Sequence, residues 1–105
     1  MEVNKFQKEI VKFLKRWDKI RKAKPSKDET FFHIIEELGE LARQYVNRES
    51  RKEQYNEAQI KDAIGDAFMQ LIKLADLYGL SIEKIITDTI KKESQFLEKK
   101  KRKIK

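Results

Sequence analysis

Residues 31–45, FFHIIEELGELARQY, carry two patterns at once. Phe31, Ile34, Ile35, Leu38, Leu41, Ala42 and Tyr45 recur at spacings of three and four, the mark of an apolar stripe on an α-helix. At about 100° per residue, His33, Glu36, Glu37 and Glu40 crowd a sector about 100° wide on the other side, with Arg43 at its edge. Like charges three and four residues apart cost a few tenths of a kcal/mol per pair, so this face is either a solvated surface or one that waits for a cation.

The flanking sequence extends the helical pattern in both directions. Ser26 and Glu29 have the S-x-x-E form of a capping box, which starts this helix and lets it run to about Asn47. Before it, Val3, Phe6, Ile10, Phe13, Trp17 and Ile20 make the stripe of a first helix over roughly residues 3–22, which ends near Lys24 because Pro25 disfavours the α conformation of the residue before it. After it, the polar, aperiodic stretch 47–56, NRESRKEQYN, reads as the one sizeable loop. A third helix uses Ile60, Ala63, Ile64, Ala67, Phe68, Leu71, Ile72, Leu74 and Ala75, with Gly79 beyond its end and Ser81 as N-cap of a fourth helix. Ile82, Ile85, Ile86, Ile90 and Leu97 form the last stripe, which dissolves into the tail KKKRKIK. No strand pattern or internal repeat occurs. The expected fold is all-α, a four-helix bundle over residues 1–98 followed by a flexible basic tail over 99–105. The width of the stripes on so short a chain points to bundles that pair as a dimer or a dimer of dimers.

Composition narrows the function classes. With no cysteine among 105 residues, disulfide scaffolds, thiolate metal sites and cysteine nucleophiles are excluded. No apolar run approaches the roughly 18–20 residues of a membrane span, and MEVNKFQKEI has no signal-peptide pattern, so the expectation is a cytoplasmic protein without membrane contact. The net charge of +7 is unevenly spread. Residues 1–27 carry +7 and residues 99–105 carry +6, while residues 28–98 carry −6.

The acidic centre contains a second cluster. Asp62 and Asp66 lie at i,i+4 in KDAIGDAF, positions for which helix propensity does not select Asp. Gly39 and Gly65 directly precede Glu40 and Asp66, and each costs about 1 kcal/mol in a helix relative to Ala, so close approach is expected there. Antiparallel packing of these helices would set Glu37 and Glu40 against Asp62 and Asp66. Such an oxygen-rich donor set suits Mg²⁺, with Mn²⁺ as the alternative. A solvated acidic face is the competing reading.

The residues Glu36-Glu37-Leu38-Gly39-Glu40, then Gly65-Asp66 and LIKLADLYGLSIEKII, resemble the MazG-like all-α nucleoside triphosphate pyrophosphohydrolases over roughly residues 30–93. The resemblance implies a helical core that assembles as a homodimer or homotetramer. It also implies Mg²⁺-dependent hydrolysis of a nucleoside triphosphate, NTP or dNTP, between the α and β phosphates. Glu37, Glu40 and Asp66 match the family's metal ligands. The family's ExxD pattern would place a carboxylate at residue 63, where this chain has Ala63, and Asp62 is the candidate replacement. Where the family has a Lys-Asn pair near the phosphates, Lys92 matches the Lys and Glu93 stands in place of Asn.

Glu36 is the candidate, with Glu37, for holding and deprotonating the attacking water. Lys73, Lys92 and Arg43 are candidate phosphate contacts. Trp17 could stack on a base, although its place on the first stripe favours core packing. His33 is read as a surface partner of Glu36 or Glu37. The alternative function is a non-enzymatic helical module that binds nucleic acid or a protein partner through the basic first helix and tail.

Overall fold

The computed structural model describes residues 2–104; the ends of the expected domain and tail, Met1 and Lys105, lie outside them. The described residues are all-α, as the periodicity requires: α1 (Val3–Arg21), α2 (Lys27–Ser50), a 3₁₀ turn (Lys52–Gln54), α3 (Glu57–Leu77) and α4 (Ile82–Ile104).

Local chemistry sets the boundaries. α1 ends when Lys22 takes a left-handed conformation at φ 54°, two residues before the position proline would have enforced. The amide of Glu29 donates to Ser26 Oγ at 3.1 Å, which caps α2. Half of the expected capping box is remade, because the Ser26 hydroxyl donates to the Glu29 carboxylate at 3.4 Å. The expected loop is shorter than its polarity suggested. α2 continues to Ser50, and the 3₁₀ turn occupies most of the rest. Gly79, at φ +69°, allows a Schellman end to α3: the Leu80 amide donates to Ala75 O at 2.8 Å and the Gly79 amide to Asp76 O at 2.9 Å. The Lys84 amide donates to Ser81 Oγ at 3.2 Å, which starts α4. α4 extends through the basic stretch that the sequence reading set apart as a tail.

α2 and α3 form the central antiparallel pair. Gln44 fixes their register from within the seam: its Nε2 donates to Gln59 Oε1 at 2.9 Å, and its Oε1 accepts from the Asn56 amide at 2.8 Å. Ala63 and Ala67 are buried, and their small side chains let the helices close. α1 crosses α3, and Ile10, Val11 and Leu14 pack on Ile72 with Met69 and Ile82 at the edge. Gln7 of α1 clamps the start of α4, donating to Leu80 O at 2.9 Å and accepting from the Ile82 amide at 2.8 Å. Anchored to α1 near its first turn, α4 extends the molecule to 53 × 40 × 28 Å.

α3 buries Ala63, Ala67, Ile72 and Ala75 of its expected stripe, but on α1 and α2 the buried face shares only Ile10 and Ile34 with the apolar stripe. On α1 the chain buries Gln7, Ile10, Val11 and Leu14, and on α2 it buries Thr30, Ile34, Gln44 and Asn47. Each face is turned from its stripe by about one residue's step, roughly 100°. The rotation follows from the polar clamps: the turn amides and carbonyls need Gln7, Gln44 and Asn47, and an unpaired buried backbone group costs more than an exposed methyl. The displaced stripes stay open. Phe31, Ile35 and Leu38 of α2 and Ile64, Phe68 and Leu71 of α3 are each about half exposed. Phe6 joins them, with its ring centroid 6.5 Å from that of Phe68. The helix pair thus has an apolar flank, and its carboxylates lie toward the opposite side.

Candidate carboxylate site

The antiparallel register that places Gln44 beside Gln59 also places Glu37 beside Asp66. Both line one cavity of about 490 Å³, closed by α1 through Phe13, Trp17, Asp18 and Arg21, with Glu29 and His33 of α2 and Lys73 of α3 completing its polar lining. The volume falls within the range of small-ligand sites. Four other concavities among the described residues, of about 840, 850, 610 and 710 Å³, are larger but contain neither Glu37 nor Asp66.

Among the described residues no basic side chain lies within ion-pair distance of Glu37. Partial burial, and then the neighbouring charges of Asp66, Glu40 and Glu36, hold its carboxyl above the usual glutamate range, with His33 pulling the other way. This strained negative potential is chemically suited to a divalent cation with a preference for oxygen ligands. Among the described residues, no three His, Asp or Glu side chains converge closely enough to hold a metal. Glu37 and Asp66 share the cavity; Glu40 and Asp62, each on an exposed position about one turn away along its own helix, do not line it.

The remaining candidates separate into two groups. Trp17 is not a core residue: it is 46% exposed at the cavity, and the Arg21 guanidinium lies 5.5 Å from its ring centre. Lys73 lines the cavity but is buried, and its Nζ lies 2.6 Å from Asp18 Oδ2, so its charge is already matched. Glu36 is exposed and faces His33 at 3.9 Å, the surface pairing expected for that histidine. Arg43 and Lys92 are exposed and do not line the cavity. Asp18 and Arg21 were not singled out in the sequence. Arg21 stands four residues after Trp17 and three after Asp18, a spacing that puts all three on one side of α1.

The glycines do not mark a close approach within the chain. A Cβ built at Gly39 or Gly65 meets nothing within 4 Å. Gly39→Ala and Gly65→Ala should therefore each raise stability by about 0.5–1 kcal/mol, measured by urea denaturation, because Ala loses less backbone entropy in a helix.

Neither the curated proteins nor the solved structures give a match to this chain. The MazG nucleotide pyrophosphohydrolase domain model matches residues 26–99, a span that holds α2, α3 and most of α4 and includes both acidic clusters. The chain belongs to the MazG nucleotide pyrophosphohydrolase domain family.

Proposed function

We propose that the protein hydrolyses a nucleoside triphosphate, NTP or dNTP, to the monophosphate and pyrophosphate. The observation that carries this reading is the cavity that Glu37 and Asp66 line together, with no basic side chain within ion-pair distance of either among the described residues. Glu37 and Asp66 would hold Mg²⁺, or Mn²⁺ in its place, and Glu40 and Asp62, which lie outside the cavity lining, would serve as further oxygen donors only on turning their side chains toward it. Such an ion would supply neutralisation of phosphate oxygens and of the charge that develops on the leaving pyrophosphate.

The chain's own groups supply orientation and proton transfer. Water attacks the α-phosphorus, the bond from that phosphorus to the α–β bridging oxygen breaks, and pyrophosphate leaves with the oxygen. The water proton passes to a carboxylate, with Glu36 and Glu37 as the candidates. Trp17 offers an exposed aromatic face at the cavity for the base, and Arg21 beside it, held at 3.7 Å from Asp18 Oδ1 but 59% exposed, offers a cation to the phosphates. Lys73 acts less directly, because Asp18 already holds its ammonium. The deciding experiment is a screen of NTPs and dNTPs with Mg²⁺ or Mn²⁺ that separates pyrophosphate from phosphate as product. Pyrophosphate with the monophosphate is the expected result, and phosphate alone would refute attack at the α-phosphorus.

The apolar flank formed by Phe31, Ile35, Leu38, Ile64, Phe68 and Leu71 supports assembly as a homodimer or homotetramer, since a single chain leaves this contiguous surface in water. A double substitution, Ile35→Glu with Phe68→Glu, should yield monomers by size exclusion with light scattering while the wild type elutes as an oligomer.

A further inference from the structure

The side of α1 turned away from the carboxylate cavity carries a separate feature. Lys8, Lys12, Lys15, Arg16 and Lys19 line a groove of about 840 Å³ whose other wall is the α3–α4 turn at Gly79, Leu80 and Ser81. Asp76 is the one acid on that lining among the described residues. The five cations are exposed and, at 100° per residue, share a sector about 100° wide. Among the described residues none of the five has a carboxylate within ion-pair distance. They are neighbours at i,i+3 and i,i+4, so they repel one another along the helix.

From Lys8 to Lys19 a helix advances about 16 Å. One strand of a duplex places a phosphate about every 3.4 Å along its axis, so about five phosphates face this length. Among the described residues no aromatic side chain lines the groove, which leaves no platform there for stacking unpaired bases. All five cations precede residue 26, where the family match begins. The carboxylate cavity meets α1 through Phe13, Leu14, Trp17, Asp18 and Arg21, roughly opposite the basic sector, so occupation of one leaves the other open.

We propose that the α1 groove binds the phosphate backbone of a nucleic-acid duplex without reading its sequence. Nucleotide hydrolysis at the carboxylate cavity is a separate property, and this inference does not rest on it.

The test uses the full chain and a fluorescein-labelled 20-base-pair DNA duplex, followed by anisotropy between 50 and 200 mM NaCl. Five phosphate contacts predict a slope of log K against log salt of about −4.5 or steeper. The variant Lys8→Gln/Lys12→Gln/Lys15→Gln should flatten that slope by about 2.7, and Lys12→Gln/Arg16→Gln by about 1.8. The second variant serves if circular dichroism shows that the first has not folded. Neither should change nucleotide turnover. Two duplexes of unrelated sequence should bind equally. A folded variant with the wild-type slope and affinity overturns the proposal, as does a strong preference between the duplexes. Displacement of the duplex by polyglutamate as readily as by unlabelled duplex would assign the groove to an acidic peptide instead, and also overturns it.

Discussion

Glu37→Gln is expected to lower Mg²⁺-dependent pyrophosphate release by about 10²–10³-fold, the scale of losing one group that stabilises developing charge at a reacting centre. The same substitution should make the metal-free protein more stable at neutral pH. Burial and the charges of Asp66, Glu40 and Glu36 raise the Glu37 pKa in the folded chain, so the folded state holds the proton more tightly than the unfolded chain does. Stability from this group is then greatest below the unfolded value of about 4.3. It falls as pH rises from there through the raised folded value. Gln at position 37 removes the repulsion, so its stabilising effect should be full at pH 8 and disappear near pH 3. Added Mg²⁺ should raise the melting temperature of the wild type more than that of the variant, since a ligand stabilises the state that binds it. Equal turnover in the two proteins would remove Glu37 from the site. Asp66→Asn tests the facing helix in the same way.

Asp18→Asn should be the most damaging single change to stability. Lys73 is buried beside Asp18 at 2.6 Å, and their side chains are 9% and 14% exposed. Loss of the carboxylate charge leaves the ammonium uncompensated between α1 and α3, at a cost of about 3–5 kcal/mol. For a domain of this size that corresponds to a melting temperature lower by roughly 15 °C or more. The double variant Asp18→Asn/Lys73→Met should recover most of the loss, because removing both charges replaces a stranded ion with apolar packing. Urea denaturation of the four proteins in the cycle measures the coupling. A drop of less than about 1 kcal/mol for Asp18→Asn would show that water reaches and solvates the Lys73 ammonium.

Much of the helix plan was legible because its signals are local. Ser26, Gly79 and Ser81 end or start helices through their own hydrogen bonds or left-handed conformation, and each does so here. The acidic cluster on α2 was legible for a similar reason, since Glu36, Glu37 and Glu40 share a sector by helix geometry alone. The run 47–56 misled through its composition: a polar segment without an apolar stripe still continues α2 to Ser50 where it extends an established helix into solvent.

The carboxylate cavity was only partly legible. The sequence sets Glu37 and Glu40 against Asp62 and Asp66; of these four, Glu37 and Asp66 line the cavity together and Glu40 and Asp62 do not. Asp18 and Arg21 gave little signal, because a charged residue on a basic, solvent-facing helix ordinarily has no partner, and the contact between Asp18 and Lys73 spans 55 positions. Gly39 and Gly65 gave a signal that the fold of one chain does not use. Trp17 reads as core by periodicity and lies open at the cavity because α1 is turned on its axis.

Sequence alone determined four helices, the caps at Ser26, Gly79 and Ser81, the acidic centre between basic ends and the membership that residues 26–99 carry. These are properties of spacing along one chain, governed by hydrogen bonds and helical period over a few residues. Tertiary structure decided which face of α1 and α2 is buried, and there it set polar clamps beside Ile10 and Ile34 in place of most of the apolar stripe, while α3 buries Ala63, Ala67, Ile72 and Ala75 of its own stripe. Gln7, Gln44 and Asn47 reach across to the partners of a distant turn or helix, and the need to pair buried backbone groups set the rotation of α1 and α2. That rotation leaves an apolar flank open, brings Trp17 and Arg21 to the carboxylates, and turns the lysines of α1 to the other side.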